Sequence, residues 1–201
     1  MDASIESPMK SLEYDLKYLI SGLESLEEYL ISGEVFWPMN INPPTGEPEY
    51  PRMTLDGMLL AGARLVRRSA SIDKQIQVEQ ALSELDMIRI KWRVAWEAKA
   101  EKCFRTRERM WRNFIQEYQD NPQENADRYP YEVRLRVMLE LLKNEISHQF
   151  IMKESLLGEM DGYLRNVLVR EGFIWEAQVQ AGFPESEYWF LYGKLPLLPL
   201  H

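Results

Sequence analysis

Reactive side chains are what this chain has least of. A single cysteine, Cys103, among 201 residues excludes an internal disulfide framework and fits a reducing compartment. Only two histidines occur, His148 and the terminal His201, which excludes a three-histidine metal site within a helical bundle and a second Glu-x-x-His pair. There is no glycine-rich phosphate loop, no serine-centred elbow and no zinc-type cysteine pair. No apolar run approaches the roughly 18–20 residues that span a bilayer, so no membrane association is expected. The stretch up to Glu34 is acidic, with only Lys10 and Lys17 against it, the reverse of a secretory or mitochondrial leader. A cytoplasmic protein with no cofactor and no assigned catalytic residue is the expectation.

The composition is that of a folded chain. A hydrophobic content of 45% beside 28% charged residues argues against general disorder, and the length suits one domain over 1–201. The net charge of −8 is unevenly spread: basic side chains gather in residues 51–112, between acidic flanks. Neutralisation between neighbouring helices is preferred to a polyanion-binding face, because overall acidity opposes the counterion release that drives nucleic-acid binding. Nucleic acid is therefore disfavoured as a partner.

Proline and glycine are absent throughout Ser71 to Asp120, and this stretch organises the rest. Val78, Ala81, Leu85, Ile88, Trp92, Ala95, Lys99 and Cys103 recur every three or four residues, and Met110, Phe114 and Tyr118 extend the stripe. One unbroken helix here would be about 70 Å long. It must protrude, bend or pair with another chain. Trp96, Phe104 and Trp111 lie off the main seam and widen the apolar surface to more than one side, as in a central or interface helix.

The remaining segments read as elements packed around that helix. Ser7-Pro8 predicts a helix start, and Leu12, Leu16, Leu19, Leu23, Leu26 and Leu30 form a heptad-like seam ending at Ser32-Gly33. Residues 33–53 carry five prolines together with Phe36, Trp37 and Tyr50, which predicts an ordered loop plugging one end of the core. Thr54 caps a short helix to Arg68, ending in Arg64, Arg67 and Arg68. Ser69 or Ser71 can cap the helix that follows, with a continuous kinked helix as the alternative. After the polar turn Asp120–Pro130, apolar residues from Leu135 to Val167 keep helical spacing, predicting a helix of about forty residues antiparallel to the long one. Gly158 and Gly162 are its weak points. The 172–201 segment is aromatic-rich and largely irregular, closes on Leu195–Leu200, and should pack rather than hang free.

Few constellations point to chemistry. Glu145 and His148 have the spacing that puts a carboxylate and an imidazole on one helix face, but one such pair makes at best a weak metal candidate. Cys103 sits on the apolar seam, where a buried inert thiol is expected. The most suggestive feature is the run of basic residues from Arg89 to Arg112 interleaved with Trp92, Trp96, Phe104 and Trp111. Arg105, Arg109 and Arg112 share a helical face and could together grip an anion. Arginine with aromatics is also the make-up of protein–protein hot spots.

The expected fold is all-α, an elongated antiparallel bundle of about four main helices closed by the proline-rich loop and the aromatic tail. The expected function is that of a non-enzymatic assembly or adaptor protein, self-associating as a homo-oligomer or binding a protein partner through its long helices. The alternative is a small-ligand or anion-binding bundle, with Phe36, Trp37 and the C-terminal aromatics lining a pocket over arginines. Trp92, Trp96, Arg105, Arg109, Trp111, Arg112, Phe36 and Trp37 are the candidate binding residues.

Overall fold

The computed structural model describes residues 11–66, 68 and 70–197. It is predominantly helical, with ten α-helices among the described residues: α1 (Leu12–Leu23), α2 (Leu26–Ile31), α3 (Leu55–Leu65), α4 (Ile72–Lys91), α5 (Arg93–Asp120), α6 (Pro122–Asn125), α7 (Tyr129–Glu132), α8 (Arg134–Lys143), α9 (His148–Glu154) and α10 (Leu157–Val167). The strands are minimal. β1 (Val169–Arg170) and β2 (Gly193–Lys194) pair antiparallel, and Trp37 forms an isolated bridge with Met53. No helix of the described residues is long and apolar enough to cross a membrane.

The leucine seam is buried as its spacing predicts, at Leu16, Leu19, Leu23, Leu26 and Leu30, but the single helix expected to carry it is broken at Glu24–Ser25 into α1 and α2. Ser11 caps α1 by accepting from the Tyr14 amide. The Ser7-Pro8 start, Arg67, Ser69 and the last part of the Leu195–Leu200 segment lie outside the described residues. Thr54 caps α3 through the Gly57 amide, as expected. Val66 then leaves the helix with extended backbone, so α3 and α4 are separate rather than one kinked helix.

Both long helices expected from the sequence are interrupted. The Ser71–Asp120 stretch bends at Trp92, which leaves helical geometry although the hydrogen-bond ladder continues on each side, from Trp92 to Ile88 and from Trp96 to Trp92. No proline or glycine announces this bend. The expected forty-residue helix is three helices, α8, α9 and α10. Here the cause is polar and local. Ser147 caps α9 by accepting from the Phe150 amide. Ser155 Oγ donates to Glu108 Oε1 at 2.7 Å, and the same carboxylate oxygen accepts from the Leu156 amide at 2.9 Å. Serines embedded in an apolar repeat thus act as stops, because their hydroxyls compete for the backbone groups a helix would use. The break falls before Gly158 and Gly162, which lie inside α10.

One contiguous cluster of buried apolar side chains runs through the chain. At its centre Trp111 and Phe114 stack at 5.5 Å between ring centroids, with Tyr129 at 6.4 Å from each. The aromatic tail packs on its own helices: Phe183, Tyr188, Phe190 and Leu191 are buried. Tyr129 Oη donates to the Phe190 carbonyl at 2.6 Å, and Tyr118 Oη to the Pro196 carbonyl at 2.9 Å. Gly182 lies against α3 so closely that a Cβ there would stand 2.4 Å from the Ala63 carbonyl oxygen, so only glycine fits.

Buried hydroxyls make the fold sensitive to alkaline pH. Burial raises Tyr118 and Tyr188 from 10.0 to about 12, and also raises Tyr29 and Tyr129. It also pushes the Cys103 thiol from 9.0 to about 12. The folded state therefore keeps protons that the unfolded chain releases, so this stability is complete below pH 9 and is lost between about 9 and 12. Urea melts followed by circular dichroism should show a midpoint falling steeply above pH 10, with tyrosinate absorbance rising in step with unfolding. Tyrosines that titrate freely near their ordinary value without loss of stability would contradict this account.

Candidate functional site

Six segments converge on a cavity of about 360 Å³. Tyr14, Asp15 and Tyr18 come from α1, Phe36 and Pro48–Pro51 from the proline-rich loop, and Thr54, Gly57, Leu60, Ala61 and Arg64 from the start and middle of α3. Arg107 of α5, Tyr131 of α7 and Arg134 and Met138 of α8 complete it. The loop is ordered by what it covers. Tyr50 stacks on Tyr14 at 4.4 Å and on Tyr18 at 5.7 Å, and its hydroxyl donates to the Tyr14 carbonyl. Burial raises Tyr50 to about 12, so its proton stays in place through the ordinary pH range.

The cations of this region are held out of water and matched with acids. Arg107, 8% exposed, forms a short ion pair with Asp56 Oδ2 and donates to Thr54 Oγ1 at 3.1 Å, while its guanidinium lies 5.4 Å from the Phe36 ring. Arg64 bridges Asp15 at 3.0 Å and Glu176 at 3.3 Å, and Arg68 reaches Asp15 at 3.1 Å. Burial pulls Arg64 down, but Asp15 and Glu176 outweigh it and its pKa is raised. Arg134 is less well served. Burial lowers its pKa, with Arg107 adding to the effect, and its one ion pair is to Glu132 at 3.5 Å.

Two polar atoms here are buried without a hydrogen bond of normal geometry: Tyr18 Oη and Asp56 Oδ1. Gly57 explains how the first is accommodated, since a Cβ at that position would sit 2.7 Å from Tyr18 Oη. Tyr18 can pack against the first turn of α3 only because Gly57 has no side chain.

The candidate binding residues from the sequence are scattered. Trp96 and Trp111 are core residues, 1% and 0% exposed: α8 packs along α5, and the Tyr129 ring lies 6.4 Å from that of Trp111. Trp96 Nε1 donates to Glu145 Oε2 at 2.9 Å. Trp92 is half-buried beside Lys91. Arg105, Arg109 and Arg112 lie on the exposed side of α5, where Arg105 covers the Phe150 ring at 5.0 Å. They are not the arginines of the cavity. Phe36 lines the cavity, whereas Trp37 bridges to Met53 and packs edge-on to Tyr29. Arg64, Arg107 and Arg134, which do line it, were missed because they lie on three different helices. The spacing of Thr54 and Gly57 was the one local signal of the turn that cradles Tyr18.

Glu145 and His148 do not share a helix face. The chain turns through Asn144–Ser147, so Glu145 precedes α9 and binds Arg89 and Trp96, while His148 opens α9 and is exposed. Among the described residues no group of three or more His, Cys, Asp or Glu could hold a metal ion. Cys103 is fully buried, 3.5 Å from Tyr29 Oη.

A second feature lies on α4. Val78, Ala81, Leu85 and Ile88 face the core, yet Ile72, Ile76, Met87 and Ile90 are exposed by 75%, 47%, 61% and 68%, and Val94 beyond the bend by 82%. At 3.6 residues per turn the two stripes are about half a turn apart, so α4 is apolar on opposite sides. A shallow groove between Ile76 and Met87 runs past Ser83 on the outer side.

No protein-family model, no curated protein and no solved structure matches this chain.

The Asp56–Arg107 pair gives a direct test of the site's construction. Asp56→Ala leaves a buried guanidinium unpaired and should destabilise by about 3–5 kcal/mol, whereas Asp56→Leu combined with Arg107→Met should cost markedly less. Chemical denaturation of both variants and of the two single variants completes the cycle. A double variant as unstable as Asp56→Ala would show that packing, not charge, governs this junction.

Proposed function

We propose that this protein is a non-enzymatic assembly protein that pairs with a second copy of itself through the outer face of α4. In this reading α1, α3, α5 and α8 serve as the four main helices of an elongated antiparallel bundle in a single domain, with α4 laid on its side. The observation that carries it is the second apolar stripe of α4, since large exposed apolar patches mark interaction surfaces.

The sequence of that face supports a copy of itself as the partner. Reflection about Ser83 brings Ile76 opposite Ile90 and Ile72 opposite Val94, with the small serine at the crossing point. The same reflection brings Asp73 opposite Arg93, so antiparallel copies place one acid–base pair toward each end of the seam, whereas parallel copies would set each of these charges against its like.

Sedimentation equilibrium should give a dimer at high micromolar concentration, and Ile76→Glu with Ile90→Glu should return it to a monomer of unchanged helicity and Tm. Mild oxidation of Ser83→Cys should cross-link two chains, because residue 83 meets itself across a two-fold axis. A wild-type chain that stays monomeric, or a dimer indifferent to both changes, sinks the proposal.

Small-ligand binding is the second reading, favoured by the separate observation of the tyrosine- and arginine-lined cavity. Its size falls within the range of ordinary ligand sites.

A further inference from the structure

The polarity of the cavity narrows what it can hold, and the inference below rests on the ligand-binding reading. Arg134 donates through Nη1 to the Tyr131 carbonyl at 2.8 Å, and its contact with Glu132 uses the same nitrogen. Glu132 is also shared with Arg128 at 3.3 Å. Among the described residues, Nε and Nη2 of Arg134 have no hydrogen-bond partner. Its guanidinium carbon lies 3.5 Å from the centroid of the Tyr131 ring. Arg107 lines the same cavity, but its Nε and Nη2 are committed to Asp56 and Thr54. Tyr18 Oη is sealed against the first turn of α3 beside Gly57, so the hydroxyl is not offered to a ligand. The free donors of the Arg134 fork call for an acceptor.

Phe36, Tyr50, Leu60, Ala61 and Met138 give the cavity an aromatic and aliphatic part of its wall. Such a wall takes a flat apolar body. Asp15 and Glu49 lie in the same lining and repel any ligand of high negative charge.

We propose that the cavity is a binding site for a small aromatic monocarboxylate, its carboxylate accepting from Nε and Nη2 of Arg134 and its ring lying among Phe36, Tyr50 and Leu60. The side-on fork of an arginine matches two carboxylate oxygens, so the anion is held in orientation as well as by charge.

Isothermal titration of the full chain with 2-naphthoate, its neutral isostere 2-naphthamide and inorganic phosphate separates the components. Naphthoate should bind at least about tenfold more tightly than naphthamide, in keeping with charge-assisted hydrogen bonds, and phosphate alone should not saturate. Arg134→Gln should weaken naphthoate by about tenfold or more and leave naphthamide unchanged, whereas Arg134→Lys, which keeps charge but not the fork, should fall between. Equal binding of naphthoate and naphthamide, unmoved by Arg134→Gln, would overturn the carboxylate while leaving a ligand site standing. Phosphate binding as tight as naphthoate would overturn the aromatic body. Binding of neither naphthalene probe would remove both this inference and the ligand-binding reading. Circular dichroism of each variant separates lost binding from lost fold.

Discussion

A cation taken out of water must be matched where it is buried, and this fold is arranged around that requirement. Arg107, Arg64, Lys99 and Arg136 are all 8% exposed or less, and each joins segments distant in the chain. Arg107 joins α5 to the first turn of α3 through Asp56 and Thr54. Arg64 joins α3 to α1 and to the tail through Asp15 and Glu176. Lys99 donates to the carbonyls of Ser32 and Glu34 at 2.9 and 2.7 Å, closing the end of α2. Arg136 holds Asp161 of α10 in a two-pronged pair at 2.7 and 2.8 Å, binds Glu140 of its own helix and lies over Phe190 of the tail. Apolar burial supplies the bulk of the driving force, but it is non-directional. These charges specify which helix meets which, since a register that leaves one unmatched carries a large penalty.

The same requirement marks the limit of what could be read without coordinates. The leucine seam of α1 and α2, the Thr54 cap and the buried state of Cys103 follow from local pattern, and pattern is local information. The Trp92 bend does not, because no breaker residue marks it. The stops at Ser147 and Ser155 were legible in principle, since serine is a cap former, but an apolar residue every three or four positions masked them. The second of these depends on Glu108, which lies 47 residues away from Ser155 and becomes a partner only after folding. The cavity is less legible still. Arg64, Arg107 and Arg134 share no helix, and the cluster chosen instead, Arg105 with Arg109 and Arg112, was selected by its helical spacing. A shared helix face shows which residues can act together, not which face another element will cover.

Helix α4 shows the converse case. Its two apolar stripes on opposite sides partly cancel as a directional signal, so neither periodicity nor overall amphipathicity singles it out. Burial of one stripe makes the other visible. Trp96 and Trp111 give the same lesson from within: they left the predicted seam only to be buried within the fold. Of the two surfaces that the sequence left uncovered on the long stretch, the one on α5 is filled by the chain itself, and the one on α4 stays open.

The position of Phe183, Phe190 and Glu176 late in the chain has a consequence for the order of events during synthesis. Glu176 is 112 residues beyond the Arg64 it neutralises, and Phe190 is 61 residues beyond the Tyr129 hydroxyl that binds it. A nascent chain that has not yet delivered residues 173–191 leaves part of this charge matching undone and the aromatic centre partly bare. The helices can form as they emerge, but their docking waits for that segment. Residues 173–191 act as the latch, so the interval between emergence of α3 and their arrival is when the chain is most exposed to misassembly.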